Sequence, residues 1–132
     1  MKHLVDQADL SDEIHVDSAG TIGHHTGHQA DQRMQAAALK RGYDLLSRSR
    51  KIVERDLDQF DLIIAMDREN LSDILAIDAQ PQASVKLLSS YLGDDWPSDV
   101  PDPYYGGEAG FEYVLDMIEA ACPSILQELA AP

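Results

Sequence analysis

Residues 61–66, DLIIAM, constrain the fold more than any other stretch. The run is apolar and rich in β-branched residues, so both faces of its pleat suit an interior. That is the pattern of a fully buried parallel strand rather than a half-exposed one. Asp67 follows at once, and its carboxylate suits the N-cap of a helix over residues 68–77. Residues 85–88 read as another strand. Strand, capped helix and strand in that order build a parallel α/β sheet.

The same alternation runs through the rest of the chain. Residues 2–8 have helical spacing, yet no Ser, Thr, Asp or Asn precedes them as a cap. Residues 13–17 (EIHVD) read as a short strand ending in the turn Ser18-Ala19-Gly20-Thr21. A Gly- and His-rich loop covers residues 22–29. Asp31 is placed to cap a helix that runs to Arg41, and Gly42 is placed to stop it in the left-handed conformation. Residues 56–60 form a helical turn. A long loop, residues 93–107, carries Asp94, Asp95, Asp99, Asp102 and three prolines. The last helix starts near Glu108 and passes Cys122, with Pro123 expected to kink it or mark a boundary. With no repeat or linker, the 132 residues read as a single domain.

Charge excludes some functions. The formal net charge of -14 argues against nucleic acid and against an anionic membrane surface, both of which need clustered Lys and Arg. It leaves a phosphate ester open, because local geometry can outvote global charge. All six arginines lie between Arg33 and Arg68. The longest clean apolar run, residues 62–66, is far too short to cross a bilayer. Cys122 is the only cysteine, so no disulfide forms within the chain. A reducing, cytoplasmic setting is the expectation.

Three strings carry chemistry. Asp102-Pro103-Tyr104-Tyr105-Gly106-Gly107 begins and ends like a turn, but two adjacent tyrosines exceed what a turn needs. They put amphipathic rings on a loop, beside a carboxylic acid that desolvation can turn into a general acid. Val16-Asp17-Ser18-Ala19-Gly20-Thr21 lies at the C-terminal end of an expected parallel strand, where open α/β sheets place their sites. Residues 65–71, AMDRENL, form a second strand end running into a helix. Two further readings carry less weight. The cluster His24, His25, His28 and Asp31 has metal-ligand types, but a solvated polar loop explains it better, and neither a metal nor another cofactor is expected. Asp17 to Thr21 matches part of an Asp-nucleophile phosphatase motif, D-x-D-G-[TV], but has Ala19 where the second Asp should stand.

The order DSAGT, GHQADQRM, SRSR, FDLIIAMDRENL, DPYYGG and GFEYVLDMIEAAC resembles the low-molecular-weight protein tyrosine phosphatases across nearly the whole chain. The resemblance implies a three-layer α/β fold with a small parallel sheet flanked by helices. It implies hydrolysis of phosphotyrosine in protein substrates through a cysteinyl-phosphate intermediate. In that chemistry a thiolate in a Cys-x5-Arg loop attacks phosphorus, and the loop's N–H groups and arginine hold the phosphate oxygens. By resemblance Asp102 protonates the leaving phenolate and then activates water. Tyr104 and Tyr105 wall the substrate ring, His24 and His25 line the rim, and Ser18, beside Asp17, supports the phosphate loop. Ser47 stands where some relatives have a supporting histidine.

One departure is decisive. No Cys-x5-Arg occurs in these residues, because six positions after Cys122 stands Glu128. In the family that loop follows a first, central strand between the segments that here are EIHVD and DLIIAM. The expectation is therefore an N-terminally truncated, inactive chain lacking that strand. Each buried polar group left unpaired costs about 1–3 kcal/mol, against a whole-domain stability of roughly 5–15 kcal/mol. The neighbouring strands must then close up, pair with another chain, or stay poorly ordered. The alternative function is a noncatalytic interaction protein, self-associating through an exposed strand edge.

Overall fold

In the computed structural model the chain is described over residues 1–21, 32–43, 50–101 and 107–130. Strand β1 (Leu62–Ala65) pairs in parallel with β2 (Ser84–Leu87), Leu62 lying opposite Ser84 and Ala65 opposite Leu87. Helices α1 (Lys2–Gln7), α2 (Gln32–Lys40), α3 (Glu54–Gln59), α4 (Arg68–Ile77) and α5 (Gly107–Ala130) surround this ladder. A 3-10 turn, Leu88–Tyr91, closes β2.

The alternation of side chains along β1 defines the layers. Ile63 and Ala65, with Val85 and Leu87 of β2, pack on Leu57 of α3 and on Leu71 and Ile74 of α4. Leu62 and Ile64 pack on the other face, against Leu88 and against Met117, Ala121 and Ile125 of α5. A third cluster joins Ala37 and Ala38 of α2 to Phe111 and Leu115 of α5. Both faces of β1 are packed, but only Ala65 is buried and Leu62, Ile63 and Ile64 are half-buried, so the strand is less enclosed than the apolar run DLIIAM led one to expect. No described helix is long and apolar enough to cross a membrane.

Local signals explain several boundaries. Asp67 caps α4, its Oδ1 accepting from the Asn70 N–H at 2.7 Å. Gly42, at φ 85°, ends α2 in a Schellman motif. The Tyr43 N–H bonds the Ala38 carbonyl and the Gly42 N–H bonds that of Leu39, both at 3.0 Å. Helix α1 has no side-chain cap, as its sequence indicates.

Two expectations are corrected. Residues 13–17 form no strand: EIHVD joins no ladder, and the backbone pairs only further on, in a parallel bridge between Gly20 and Lys51. The period-2 pattern survives without the hydrogen bonds. Ile14 and Val16 are half-buried, while His15 and Asp17 face outward, the His15 ring stacking on Phe60 at 6.1 Å. A strand needs a partner as well as a pattern, and none adjoins this segment among the described residues. Pro123 does not end α5, which continues to Ala130. Pro123 removes the bond that would reach the Glu119 carbonyl. Both residues are exposed, so water can serve that oxygen.

Met117 is fully buried between α5 and the sheet. Met117→Ala is expected to lower unfolding stability by about 2–5 kcal/mol, read from urea denaturation.

Candidate functional site

The turn after residue 16 is held from one side by Arg50. The Gly20 N–H donates to the Arg50 carbonyl and the Ile52 N–H to the Gly20 carbonyl, each at 2.8 Å. The Arg50 side chain adds a second tie. Its Nη1 and Nη2 reach the Asp56 carboxylate at 2.9 and 3.1 Å, and its Nε reaches Asp17 Oδ2 at 3.2 Å. Asp56 is buried and also accepts from the Val53 N–H at 2.9 Å, which caps α3. Asp17 in turn accepts from the Ser18 N–H at 2.8 Å. One guanidinium therefore fixes both the Asp17–Ser18 turn and the start of α3.

These contacts set the charges. Hydrogen bonds from Arg50 hold the Asp56 carboxyl below its ordinary range, against an opposing push from burial. For Asp17 the largest single influence is burial, which raises it. The Ser18 N–H and Arg50 together outweigh burial, and the net shift is downward. Bonding to Asp56 raises Arg50 above its usual value.

The N-terminus of α4, at the C-terminal end of β1, meets Thr21 and the segment 99–100. Asn70 Nδ2 lies 3.4 Å from Thr21 Oγ1, bringing the end of DSAGT to this helix. The Val100 N–H donates to the Met66 carbonyl at 2.9 Å. Asp99 Oδ1 accepts from the Arg68 N–H at 3.0 Å and from Arg68 Nε at 3.2 Å, while Oδ2 accepts from Nη2 at 3.3 Å.

Among the candidate residues, Asp17 and Ser18 sit on an exposed turn at this end of the molecule. Asp102, Tyr104, Tyr105, His24, His25 and Ser47 lie outside the described residues, as does the cluster His24, His25, His28 and Asp31. The described residues hold no group of three or more metal-ligand side chains. Cys122 is free and buried on α5. Glu128, six positions on, accepts from Lys86 Nζ and from the Tyr91 hydroxyl. Sequence reading gave no role to Arg50, Asp56, Arg68 or Asp99. The only available signal was that each lies within a few residues of a motif, which does not reveal a partner.

The end of DSAGT, the AMDRENL turn and residues 99–100 thus meet at a strand end and helix N-terminus, where open α/β sheets place their sites. Comparison with known proteins narrows the class. The family model for low molecular weight phosphotyrosine protein phosphatases matches residues 1–132. A Synechocystis relative assigned by name to the low molecular weight protein-tyrosine-phosphatases is 44% identical over 131 residues, spanning 98% of this chain and 83% of its own length. The crystal structure of a protein tyrosine phosphatase from Entamoeba histolytica superposes with a TM-score of 0.90 at 37% identity, covering 97% of this chain and 83% of that one. A Drosophila protein named as an arginine phosphatase superposes with a TM-score of 0.87 at 30% identity, covering 98% and 85%. The chain belongs to the low molecular weight phosphotyrosine protein phosphatase family.

Arg50→Gln is expected to cost about 1–3 kcal/mol at pH 7, because the buried Asp56 keeps only the Val53 N–H. Asp56 and Asp17 titrate below their ordinary value of 3.8 in the folded chain. Their contribution is therefore full above that pH and is lost as pH falls through the folded values. The gap between wild type and variant should narrow below about pH 4, as followed by urea denaturation across pH 3–7.

Proposed function

We propose that these residues form the acid and substrate-wall part of a phosphatase acting on phosphotyrosine in proteins in the cytoplasm. Asp102 is the general acid, and Tyr104 and Tyr105 stack along the phenyl ring. His24 and His25 border the entrance, and Asp17 and Ser18 support the phosphate loop from behind. Family membership and the meeting of DSAGT with the α4 N-terminus support this reading. So does the tether that brings the chain to within three residues of Asp102.

The 132 residues alone do not turn over. The carrying observation is Cys122, the only thiol. It is buried in the middle of α5, and the position six residues on is Glu128, which accepts from Lys86 and Tyr91. A nucleophile needs access to phosphorus, and a dianion needs an arginine rather than a carboxylate at that spacing. Cys122 has neither: it is buried, and the sixth position on is a glutamate.

The test uses p-nitrophenyl phosphate at mildly acidic pH, with vanadate as control. The purified chain should show no vanadate-sensitive turnover. The same chain fused to a relative's strand and Cys-x5-Arg loop should hydrolyse it. In the fusion, Asp102→Ala should slow phenyl phosphate by roughly 10²–10⁴-fold, and p-nitrophenyl phosphate far less, since nitrophenolate leaves without a proton. Equal slowing of both esters would remove Asp102 from the acid role. Phosphoarginine belongs beside phosphotyrosine in the same assay, given the Drosophila neighbour. Preference for phosphoarginine would overturn the substrate assignment.

One observation favours a second reading. Among the described residues β1 is laddered to β2 alone, leaving its other edge free of strand pairing. A noncatalytic protein that self-associates through this edge would form dimers in light scattering. A strictly monomeric, folded chain would exclude it.

A further inference from the structure

Arg50 is tied to two carboxylates, and they do not hold it equally. Its side chain is 33% exposed and that of Asp17 38%, so solvent screens their attraction, which alone leaves a long side chain free to swing. The Asp56 side chain is 11% exposed and takes both terminal nitrogens, at 2.9 and 3.1 Å. A planar fork seated on one buried carboxylate has its direction fixed. Asp56 is fixed in its turn, because its Oδ2 also accepts from the Val53 N–H in the first turn of α3. Bonding to Asp56 is the largest influence raising Arg50, ahead of the charge of Asp17. With the fork so seated, Nε and the shared Nη2 reach Asp17 Oδ2 at 3.2 and 3.1 Å. Asp17 Oδ1 is left to accept from the Ser18 N–H. Among the described residues, backbone pairing of this turn begins only at Gly20, so Asp17 and Ser18 depend on that carboxylate for their placement. The exposed end of the chain of contacts takes its geometry from the buried end.

We propose that Asp56 is a positioning residue for the Asp17–Ser18 turn, acting through Arg50 from the start of α3. This role rests on the assignment of Ser18 as the support behind the phosphate loop. A supporting group is useful only at a set place, because small misplacements near a reacting centre are costly. The hydrogen bonds of Asp56 go to Arg50 and Val53 and none to Asp17 or Ser18, so its influence on the turn passes through the guanidinium.

The test is made on the 132-residue chain by NMR, reading the titration of the Asp17 carboxyl and the Ser18 amide shift. Asp56→Asn keeps one oxygen for the Val53 N–H, so α3 stays capped, but it removes a negative charge and the seat of the fork. Charge removal alone lowers the Asp17 pKa, because a neighbouring carboxylate is lost. Loss of positioning raises it, because an Arg50 released from Asp56 no longer presents its nitrogens to Asp17. The expected result is a rise toward the ordinary value of 3.8. Arg50→Gln sets the value that Asp17 takes with no guanidinium at all, and Asp56→Asn should cover at least about half of that distance. Arg50→Lys leaves Asp56 in place and keeps the charge but not the fork, and it should raise Asp17 as well. The Ser18 amide at pH 7 should move in the same direction in all three variants. His15, whose charge also lowers Asp17, is untouched by any of them. An Asp17 pKa that falls or stays at its wild-type value in Asp56→Asn, or that stays there in Arg50→Lys, would overturn the proposal, because charge without geometry gives those results. No phosphate ester enters this measurement. A negative result therefore leaves the phosphatase reading standing, and an inactive fusion leaves the role of Asp56 to be judged by the Asp17 titration alone.

Discussion

Leu62 and Ile64 pack toward α5 while Ile63 and Ala65 pack toward α3 and α4, and this division along four residues organises the molecule. A strand packed on both faces asks each neighbouring helix to present an apolar stripe to it. Met117, Ala121 and Ile125 do so from α5, and Leu71 and Ile74 from α4. Because β1 is fixed on both sides, its C-terminal end is a fixed point in space. Asp67 turns the chain into α4 there, and the backbone of Met66 and the side chains of Arg68 and Asn70 face the incoming segments. The candidate site is thus a consequence of core packing one residue upstream.

Guanidinium–carboxylate pairs do the remaining joining. Arg41 meets three carboxylates of α5, and Arg50 meets two from different elements. At the far end of α5, Glu128 receives Lys86 of β2 and the Tyr91 hydroxyl. Burial and that neighbouring carboxylate push the Tyr91 phenol well above its usual range, so it stays a donor. These pairs connect segments far apart in sequence, which hydrophobic clusters bring close without fixing their register.

How much of this was legible depended on whether the cause was local. DLIIAM, the Asp67 cap and the Gly42 stop were readable because each is decided by its own residues. EIHVD was misread as a strand because Ile14 and Val16 have the right period, while the ladder depends on a neighbour the segment itself cannot specify. Of the two outcomes expected at Pro123, a kink or a boundary, the boundary did not occur: α5 continues, and the carbonyl that loses its partner belongs to exposed Glu119, which water can serve. DSAGT and AMDRENL marked an end of the sheet where the structure brings them together, while DPYYGG lies outside the described residues. Their joints, Arg50 to Asp17 across 33 positions and Arg68 to Asp99 across 31, had no local signature.

The distribution of positive charge bears on what the site can hold. A chain of net charge -14 repels a phosphate ester at long range, so binding must rest on donors aimed at close quarters. Four of the five described arginines are already engaged. Arg33 lies over the Phe111 ring at 4.9 Å, Arg41, Arg50 and Arg68 are in carboxylate pairs, and Arg55 adds to the field around Asp56. Releasing any of the three paired ones to a phosphate would strand a carboxylate in place of the anion it gained, so the exchange yields little. The phosphate therefore needs a guanidinium with no structural duty, together with backbone N–H groups that carry no compensating negative charge. A Cys-x5-Arg loop meets both needs in one segment. Under the proposed function, the acidic balance of these residues leaves anion binding to such a loop.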